Sequence, residues 1–203
     1  KRKRVRPAFE RWEYCKLWRT LCKRIKTARD VRTRKSRELL RSYVLVLANS
    51  GIRTGEANNL NVRDVHPFTD EKGRKNFRLV VRGKTGERDA ILRSVAAKRL
   101  DKYLTKRRKE DPDDLLFVMP DGSKIITLID QLNAALRGAG VERSSFNEKY
   151  TVYSLRHFYA VNTLRNGVGV FEVARNMGTS VQMIQEYYGR QATPAVFATR
   201  LGD

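Results

Sequence analysis

Two arginines in this sequence occupy positions from which an exposed guanidinium group can bind an anion. Arg53 lies in the turn at residues 51–56, Gly-Ile-Arg-Thr-Gly-Glu, and Arg156 lies in the segment at residues 153–157, Tyr-Ser-Leu-Arg-His. A guanidinium group makes two parallel hydrogen bonds to a phosphate. Solvated surface charge explains the first motif when it is taken alone, and an amphipathic helix with one buried histidine explains the second. Glu56 either orients Arg53 or simply forms a salt bridge at the helix start.

Two adjacent tyrosines, Tyr187 and Tyr188, stand at the end of a short predicted helix for which Ser180 is a good N-cap. Neighbouring residues on a helix point in different directions, so the two rings cannot both be buried on one face. We expect one phenol to be presented to solvent or to a ligand. A core position for either ring is the structural alternative.

A lysine, Lys84, occupies the predicted turn at residues 82–86, Arg-Gly-Lys-Thr-Gly. The glycines on both sides make the turn flexible, so the long amine can reach into a cleft and stay solvated when it is idle. A turn lysine with no chemical role explains the same pattern when the motif is taken alone.

The charge balance indicates a polyanionic partner. The 203 residues include 43 Lys and Arg against 22 Asp and Glu, a formal net charge of +21. Such an excess opposes compaction and usually marks a surface that binds a polyanion. Because no apolar run approaches the roughly 20 residues of a spanning helix and no signal peptide opens the chain, nucleic acid is favoured over a membrane surface. We expect a cytoplasmic protein.

Nothing in the sequence predicts a metal ion or a cofactor. Cys15 and Cys22 have the spacing of neither a disulfide framework nor a zinc site, so we expect buried or half-buried free thiols. The carboxylates form no cluster of the kind that a two-metal nuclease uses.

Taken together, Arg53, Lys84, Arg156 and Tyr188 follow the order of the tyrosine recombinase or phage integrase family, which the sequence resembles over about residues 36–190. The family pattern is an arginine where a turn enters a helix, a lysine in a β-hairpin, an arginine-histidine helix, and a Gly-x-Ser motif ahead of a tyrosine. The resemblance implies the catalytic domain of a site-specific recombinase, which cleaves and rejoins double-stranded DNA through a covalent 3′-phosphotyrosine without a cofactor.

The resemblance also implies a role for each matched residue. Arg53 and Arg156 clamp the DNA phosphate and stabilise the negative charge that develops on its non-bridging oxygens. Lys84 protonates the leaving 5′ oxygen, and Tyr188 is the nucleophile. The family's tyrosine falls nine residues after the position that Thr179 occupies here, which selects Tyr188; a shift of one residue would select Tyr187 instead.

Two positions depart from the family pattern. Tyr153 stands where the family usually has His or Lys, and Thr179 stands where it has His or Trp. Both hydroxyls can hydrogen-bond a phosphate oxygen, but neither equals imidazole as a general base near neutral pH. We therefore expect weaker general-base assistance and slow cleavage, with Glu56 and His157 supporting the site.

Three basic residues on and beside the predicted hairpin turn, Arg82, Lys84 and Arg88, are expected to contact DNA. The resemblance further implies that the apolar tail at residues 191–203 docks on a neighbouring subunit and builds a homo-tetramer on DNA. An ordinary packed C-terminal helix would explain the tail equally well. Lys1 is not a methionine, so we expect this chain to be part of a longer protein.

The elements that position these residues are predicted to be mainly helical. Apolar spacing predicts helices at about residues 10–26, 39–48, 54–61, 94–109, 124–138, 154–166, 170–177 and 181–188, with a loop at 27–35. Alternation predicts a hairpin around residues 83–86 and a third strand at 65–68. We expect an α+β domain at residues 10–190 with a small three-stranded antiparallel sheet, preceded by a basic linker at 1–9.

Two other functions stay open from the sequence. A type IB topoisomerase shares the tyrosine chemistry and relaxes supercoils as a monomer, without a docking tail. A DNA-binding protein that has lost catalysis would explain the departures at Tyr153 and Thr179. All three hypotheses predict salt-sensitive DNA binding, because neutralised phosphates release counterions.

Overall fold

The computed structural model describes residues 7–83, 86–107 and 111–189. Within these ranges the chain forms eight α-helices and one antiparallel sheet, so the predicted α+β, mainly helical fold is confirmed. The helices are α1 (Arg11–Lys26), α2 (Val31–Ser50), α3 (Thr54–Asn58), α4 (Ser94–Arg107), α5 (Ile129–Ala139), α6 (Tyr153–Arg165), α7 (Val170–Met177) and α8 (Val181–Ile184). The strands are β1 (Val65–Thr69), β2 (Lys75–Gly83) and β3 (Gly86–Leu92).

The sheet has the strand order β1-β2-β3, with both pairs antiparallel. Strand β2 alternates buried Phe77, Leu79 and Val81 with exposed Arg78 and Arg82. One face of the sheet therefore packs against helices α2 and α4, and the other faces solvent. The predicted hairpin is confirmed, with Gly83 paired to Gly86 at its end.

Helix α2 runs through the centre of the domain and packs against α1, α4 and α6. All its residues from Ser42 to Ser50 are buried. It ends at Gly51, whose backbone is left-handed with φ 68°. A side chain there would overlap the ring of Tyr159. This tight turn directs the chain from the core to Arg53 at the start of α3.

Several predicted boundaries are wrong, including the ends of α3, at Asn58 rather than 61, and of α8, at Ile184 rather than 188. The loop predicted at residues 27–35 ends early, because α2 begins at Val31, where Asp30 accepts a hydrogen bond of 2.7 Å from the backbone N–H of Thr33. The first turn of α2 is largely exposed and shows no apolar repeat from which it could be predicted. Helix α5 begins at Ile129 rather than near residue 124, since the preceding segment forms a turn in which Met119 and Ser123 are hydrogen-bonded.

The described part of the predicted linker is packed against the domain. Phe9 is 1% exposed and stacks on Tyr150 with ring centroids 3.9 Å apart. Residues 1–6 of that linker, and the whole predicted docking tail at 191–203, lie outside the described residues.

Three expectations about the surface and the cysteines can be compared with the described ranges. No helix there is long and apolar enough to cross a membrane. The same ranges contain no group of His, Cys, Asp or Glu side chains that could hold a metal ion. Both cysteines are free as expected, but Cys15 is exposed rather than buried, and Cys22 is half-buried.

Candidate active site

The start of α3, the start of α6 and the segment from α7 to residue 188 meet around one cavity of about 450 Å³. Its walls contain most of the residues that the sequence singled out for chemistry. They are Arg53, Tyr153, Arg156, His157, Thr179, Tyr187 and Tyr188, together with Met183. The fold thus brings both arginines and both candidate nucleophiles to one place, although they are far apart in the chain.

The side chain of Arg53 is fixed on one side and open on the other. Its Nη1 donates to Oε1 of Glu56 at 2.8 Å, and its Nη2 donates to the carbonyl of Gly178 at 2.7 Å. The backbone N–H of Arg53 donates to Oε2 of Glu56 at 2.7 Å. Glu56 therefore both orients Arg53 and caps the helix start. With 39% of its side chain exposed, Arg53 keeps a face available to a ligand.

Arg156 lies in the floor of the cavity. It is 3% exposed, and its Nη1 donates to the carbonyl of Gly51. Burial, followed by repulsion from Arg53, lowers the pKa of Arg156. A bound anion would relieve both effects, because an opposite charge favours the charged form of a buried group.

A network that the sequence did not predict supports this pair. Nη2 of Arg88 donates to Oε2 of Glu56 at 2.8 Å and to the carbonyl of Met177 at 3.0 Å, while Nη1 donates to the carbonyl of Asn176 at 3.3 Å. Arg88 was predicted to contact DNA, but these hydrogen bonds all go to protein acceptors. Its guanidinium group connects β3, Glu56 and the end of α7.

Arg82, also predicted to contact DNA, lies outside the cavity walls. Its Nη1 donates to both carboxylate oxygens of Asp64, at 2.8 and 2.9 Å, and its Nε lies 3.0 Å from Glu87. The side chain is half exposed, so contact with a ligand on the outer surface stays a prediction. Lys84 lies outside the described residues.

The turn between α7 and α8 carries Thr179 into the cavity. Gly178 has a left-handed backbone with φ 61°, and a side chain there would overlap that of Arg88. The backbone N–H of Thr179 donates to the carbonyl of Ala174 at 3.0 Å. As predicted, Ser180 caps the next helix, accepting from the backbone N–H of Met183.

Asn176 is a second residue that the sequence did not reveal. Its Nδ2 donates to the Ser50 carbonyl at 2.9 Å and to the Tyr159 hydroxyl at 2.7 Å, and its Oδ1 accepts from the backbone N–H of Ile91 at 2.6 Å. One side chain thereby joins α7 to the end of α2, to α6 and to β3. A lone asparagine in an amphipathic helix gives no sequence signal of such a role.

The two tyrosines differ in burial, as expected. Tyr188 is 6% exposed and lines the cavity, whereas Tyr187 is half-buried. The ring of His157 contacts both Tyr153 and Tyr188, with centroids 4.9 and 5.0 Å apart. Burial, then the neighbouring Tyr153, raises the pKa of Tyr188 to about 12 against the opposite influence of Arg156.

Comparison with known proteins agrees with this geometry. The model of the phage integrase family matches residues 19–193, so the chain belongs to the phage integrase family. Its fold is similar to that of XerA recombinase, with a TM-score of 0.72 and 24% identity over 98% of this chain and 66% of that one. No curated protein sequence matches the chain.

Two further solved structures show the same fold. XerH site-specific recombinase, bound to a palindromic difH substrate, matches with a TM-score of 0.72 and 21% identity over 97% of this chain and 53% of that one. The catalytic domain of bacteriophage HP1 integrase matches with a TM-score of 0.59 and 13% identity over 96% of this chain and 94% of that one. The chain thus spans about half the length of XerH but nearly all of the HP1 catalytic domain.

Proposed function

We propose that this chain is the catalytic domain of a site-specific DNA recombinase that cleaves and rejoins DNA through a 3′-phosphotyrosine at Tyr188. The observation that carries the proposal is the convergence of Arg53, Arg156 and Tyr188 on one cavity. Membership of the phage integrase family supports it. Two structures of similar fold support it further, XerH bound to its difH substrate and a lambda integrase dimer bound to a COC′ core site.

In the proposed reaction, a DNA phosphate occupies the cavity between the two guanidinium groups. The open face of Arg53 and the buried Arg156 bind its non-bridging oxygens, where negative charge grows as Tyr188 attacks the phosphorus. The hydroxyls of Tyr153 and Thr179 donate further hydrogen bonds to those oxygens. The bond from phosphorus to the 5′ oxygen breaks as the bond to the tyrosine oxygen forms.

The two proton transfers fall to different parts of the cavity. Tyr188 loses its proton to solvent as it attacks, because its neighbours Tyr153 and Thr179 are weak bases. The departing 5′ oxygen gains a proton from Lys84, which we assign as general acid. The position of Gly83 supports this assignment, because a Cβ there would lie 3.0 Å from Oε1 of Glu56, the partner of Arg53. The end of the hairpin, just before Lys84, thus lies close to Glu56 and Arg53.

The covalent intermediate keeps the energy of the broken bond, so a 5′ hydroxyl from another strand can reverse the attack and reseal DNA without an external energy source. Exchange between strands needs several active sites on the same DNA, and we propose a homo-tetramer on double-stranded DNA. The net charge of +21 supports a DNA partner. The free cysteines fit a cytoplasmic protein associated with the nucleoid.

A covalent trapping experiment tests the proposal without knowledge of the target sequence. The probe is a pool of random-sequence duplexes with a 5′-bridging phosphorothiolate, whose thiolate leaving group reverses the attack poorly, so that adducts accumulate. We expect a DNA adduct that survives denaturation, that maps to Tyr188, and that Tyr188→Phe abolishes while duplex binding persists.

Tyr187→Phe is the matched control, since it removes the same hydroxyl one residue away and should retain the adduct. An adduct that survives in Tyr188→Phe and disappears in Tyr187→Phe would move the nucleophile to Tyr187. No adduct in the unaltered chain, with duplex binding intact, would instead select the non-catalytic DNA-binding protein.

A further inference from the structure

A second cavity, of about 400 Å³, lies beside the opposite end of α2 from the candidate active site. Arg37 in its wall is 14 positions before Gly51, which corresponds to roughly 20 Å along a helix. Three arginines contribute to this wall together with hydroxyl and amide side chains. The polar members are Arg24, Arg32, Arg37, Thr33, Ser36, Gln131 and Asp121. We call this space the arginine cavity.

The protein offsets only part of the positive charge of the arginine cavity, through the carboxylate of Asp121 near Arg32 and that of Asp30 near Arg37. None of Arg24, Arg32 and Arg37 forms an ion pair with a carboxylate among the described residues. Two of them donate to backbone carbonyls instead: Arg37 to that of Arg24, and Arg24 to that of Ala134 at 3.0 Å. These bonds hold both guanidinium groups in place at the wall without cancelling their charge.

The arginines also repel one another. Burial, followed by the nearby charges of Arg37 and Arg137, lowers the pKa of Arg24. The carboxylate in the wall, Asp121, accepts hydrogen bonds from the backbone N–H and the hydroxyl of Ser123 at 3.0 and 2.6 Å. With three cations against one anion, the cavity attracts a negatively charged ligand.

Two polar atoms in the wall have hydrogen-bonding capacity that the described protein does not use. Arg24 Nε and Gln131 Oε1 are buried, and neither bonds to any described residue. Buried polar atoms in proteins nearly always have a partner. Arg24 Nε is a donor that an oxygen of a bound anion would satisfy after a small rearrangement, whereas Gln131 Oε1 is an acceptor and needs a donor instead.

The placement of charge along α2 agrees with an anion at this end. Arg32 and Arg34 lie in the first helical turn, which contains no acidic residue. The positive end of the helix dipole disfavours cations there. The Asp30 cap offsets part of this cost in the free protein, and a bound anion would offset more of it.

We propose that the arginine cavity binds a phosphate group, independently of the catalytic cavity. Guanidinium groups match the geometry of phosphate oxygens, and the Ser36 hydroxyl is a further donor. A free phosphorylated compound and the DNA backbone both supply this chemistry. The proposal does not depend on strand cleavage, so it can be tested independently of the proposed recombinase activity.

The first test is a titration of the uniformly ¹⁵N-labelled protein with inorganic phosphate at constant ionic strength. We expect saturable shifts of the Ser36 and Gln131 backbone amides, and these local signals separate the arginine cavity from the catalytic cavity. Arg32→Gln should weaken this binding about tenfold or more, the effect of losing one charge-assisted hydrogen bond.

Arg34→Gln is the matched control. It removes the same charge from the same helical turn, but Arg34 pairs with Glu38 and lies outside the cavity wall, so binding should persist. Arg32 is exposed and Asp30 continues to cap the helix, so the fold is expected to tolerate either change. The absence of saturable shifts in the unaltered protein, or equal losses in both variants, would overturn the proposal.

A second arm distinguishes the source of the phosphate. Duplex DNA binding is measured at several salt concentrations for the same two variants. If DNA supplies the phosphate, Arg32→Gln lowers the salt slope by about one unit and Arg34→Gln does not. Equal slopes, together with weakened binding of inorganic phosphate in Arg32→Gln, assign the cavity to a free phosphorylated compound.

Discussion

The phenol of Tyr188 is a weak acid in a site that makes it weaker. Two guanidinium groups lower its pKa, yet burial and the adjacent Tyr153 outweigh them and raise it to about 12. At neutral pH the phenol is therefore almost wholly protonated. Tyr153 and Thr179 stand where the family has stronger bases, so proton removal is expected to limit cleavage.

At the residue scale, the prediction concerns the pH dependence of cleavage in a single turnover. Because a pKa of about 12 lies above the experimental range, the phenolate fraction of Tyr188 rises about tenfold per pH unit between about 7 and 9, and the cleavage rate should follow it. Measurement with the phosphorothiolate probe checks this. A plateau with an imidazole-like midpoint that vanishes in Tyr153→Phe would contradict it.

The turn between α7 and α8 decides whether separate elements form one site. Its Gly178 carbonyl holds Arg53, and its left-handed backbone leaves room for Arg88, which in turn holds Glu56. Asn176 fixes the same helix end to α2 and β3. At the scale of elements, the position of the sheet therefore determines, through this turn, where the guanidinium group of Arg53 lies.

The prediction for this element is that Gly178→Ala lowers adduct formation by about tenfold or more. The added methyl group strains a left-handed backbone and displaces Arg88, so the Glu56 carboxylate that orients Arg53 loses a partner. Denaturant unfolding and trapping kinetics are measured together.

Gly140→Ala is the control for Gly178→Ala, because Gly140 ends α5 with a similar φ of 64° but a Cβ there meets nothing within 4 Å. It should cost a comparable backbone strain of about 1 kcal/mol and leave adduct formation unchanged. Equal kinetic effects in the two variants would show that Arg88 does not help to position Arg53.

The whole molecule buries several ionisable phenols in addition to that of Tyr188. Burial is the largest cause that raises the pKa of each of Tyr14, Tyr43, Tyr150, Tyr159 and Tyr188. The values for Tyr14 and Tyr188 are about 12, against an ordinary value of roughly 10 in the unfolded chain. The folded state therefore holds these protons more tightly than the unfolded state.

This predicts unfolding in alkali. Stability from the tyrosines is fully present below about pH 10 and is lost as pH rises towards about 12, since the unfolded chain releases the protons first. Urea unfolding at a series of pH values, with tyrosinate absorbance as a second signal, measures the loss. In Tyr14→Phe the free energy of unfolding should fall less steeply with pH, by up to the contribution of one proton. An unchanged slope in that variant would argue against a contribution from Tyr14.

The sequence determined the local features of this protein. Helix caps such as Ser180 and the hairpin around residues 83–86 could be predicted, because each depends on neighbours in the chain. The grouping of Arg53, Arg156 and Tyr188 was implied only by the resemblance to a known family. The start of α2 could not, since its first turn is largely exposed and is specified by the Asp30 cap without an apolar repeat.

The tertiary structure decided which residues share a site. The sequence predicted DNA contact for Arg88, which stays a prediction, but it did not show that Arg88 also contacts Glu56. Asn176 carried no sequence signal at all. The arginine cavity likewise draws Arg24 and Arg37 from two helices and Gln131 from a third. Hydrogen bonds between distant segments depend on how helices and sheet pack, and residue spacing along one chain does not encode those distances directly.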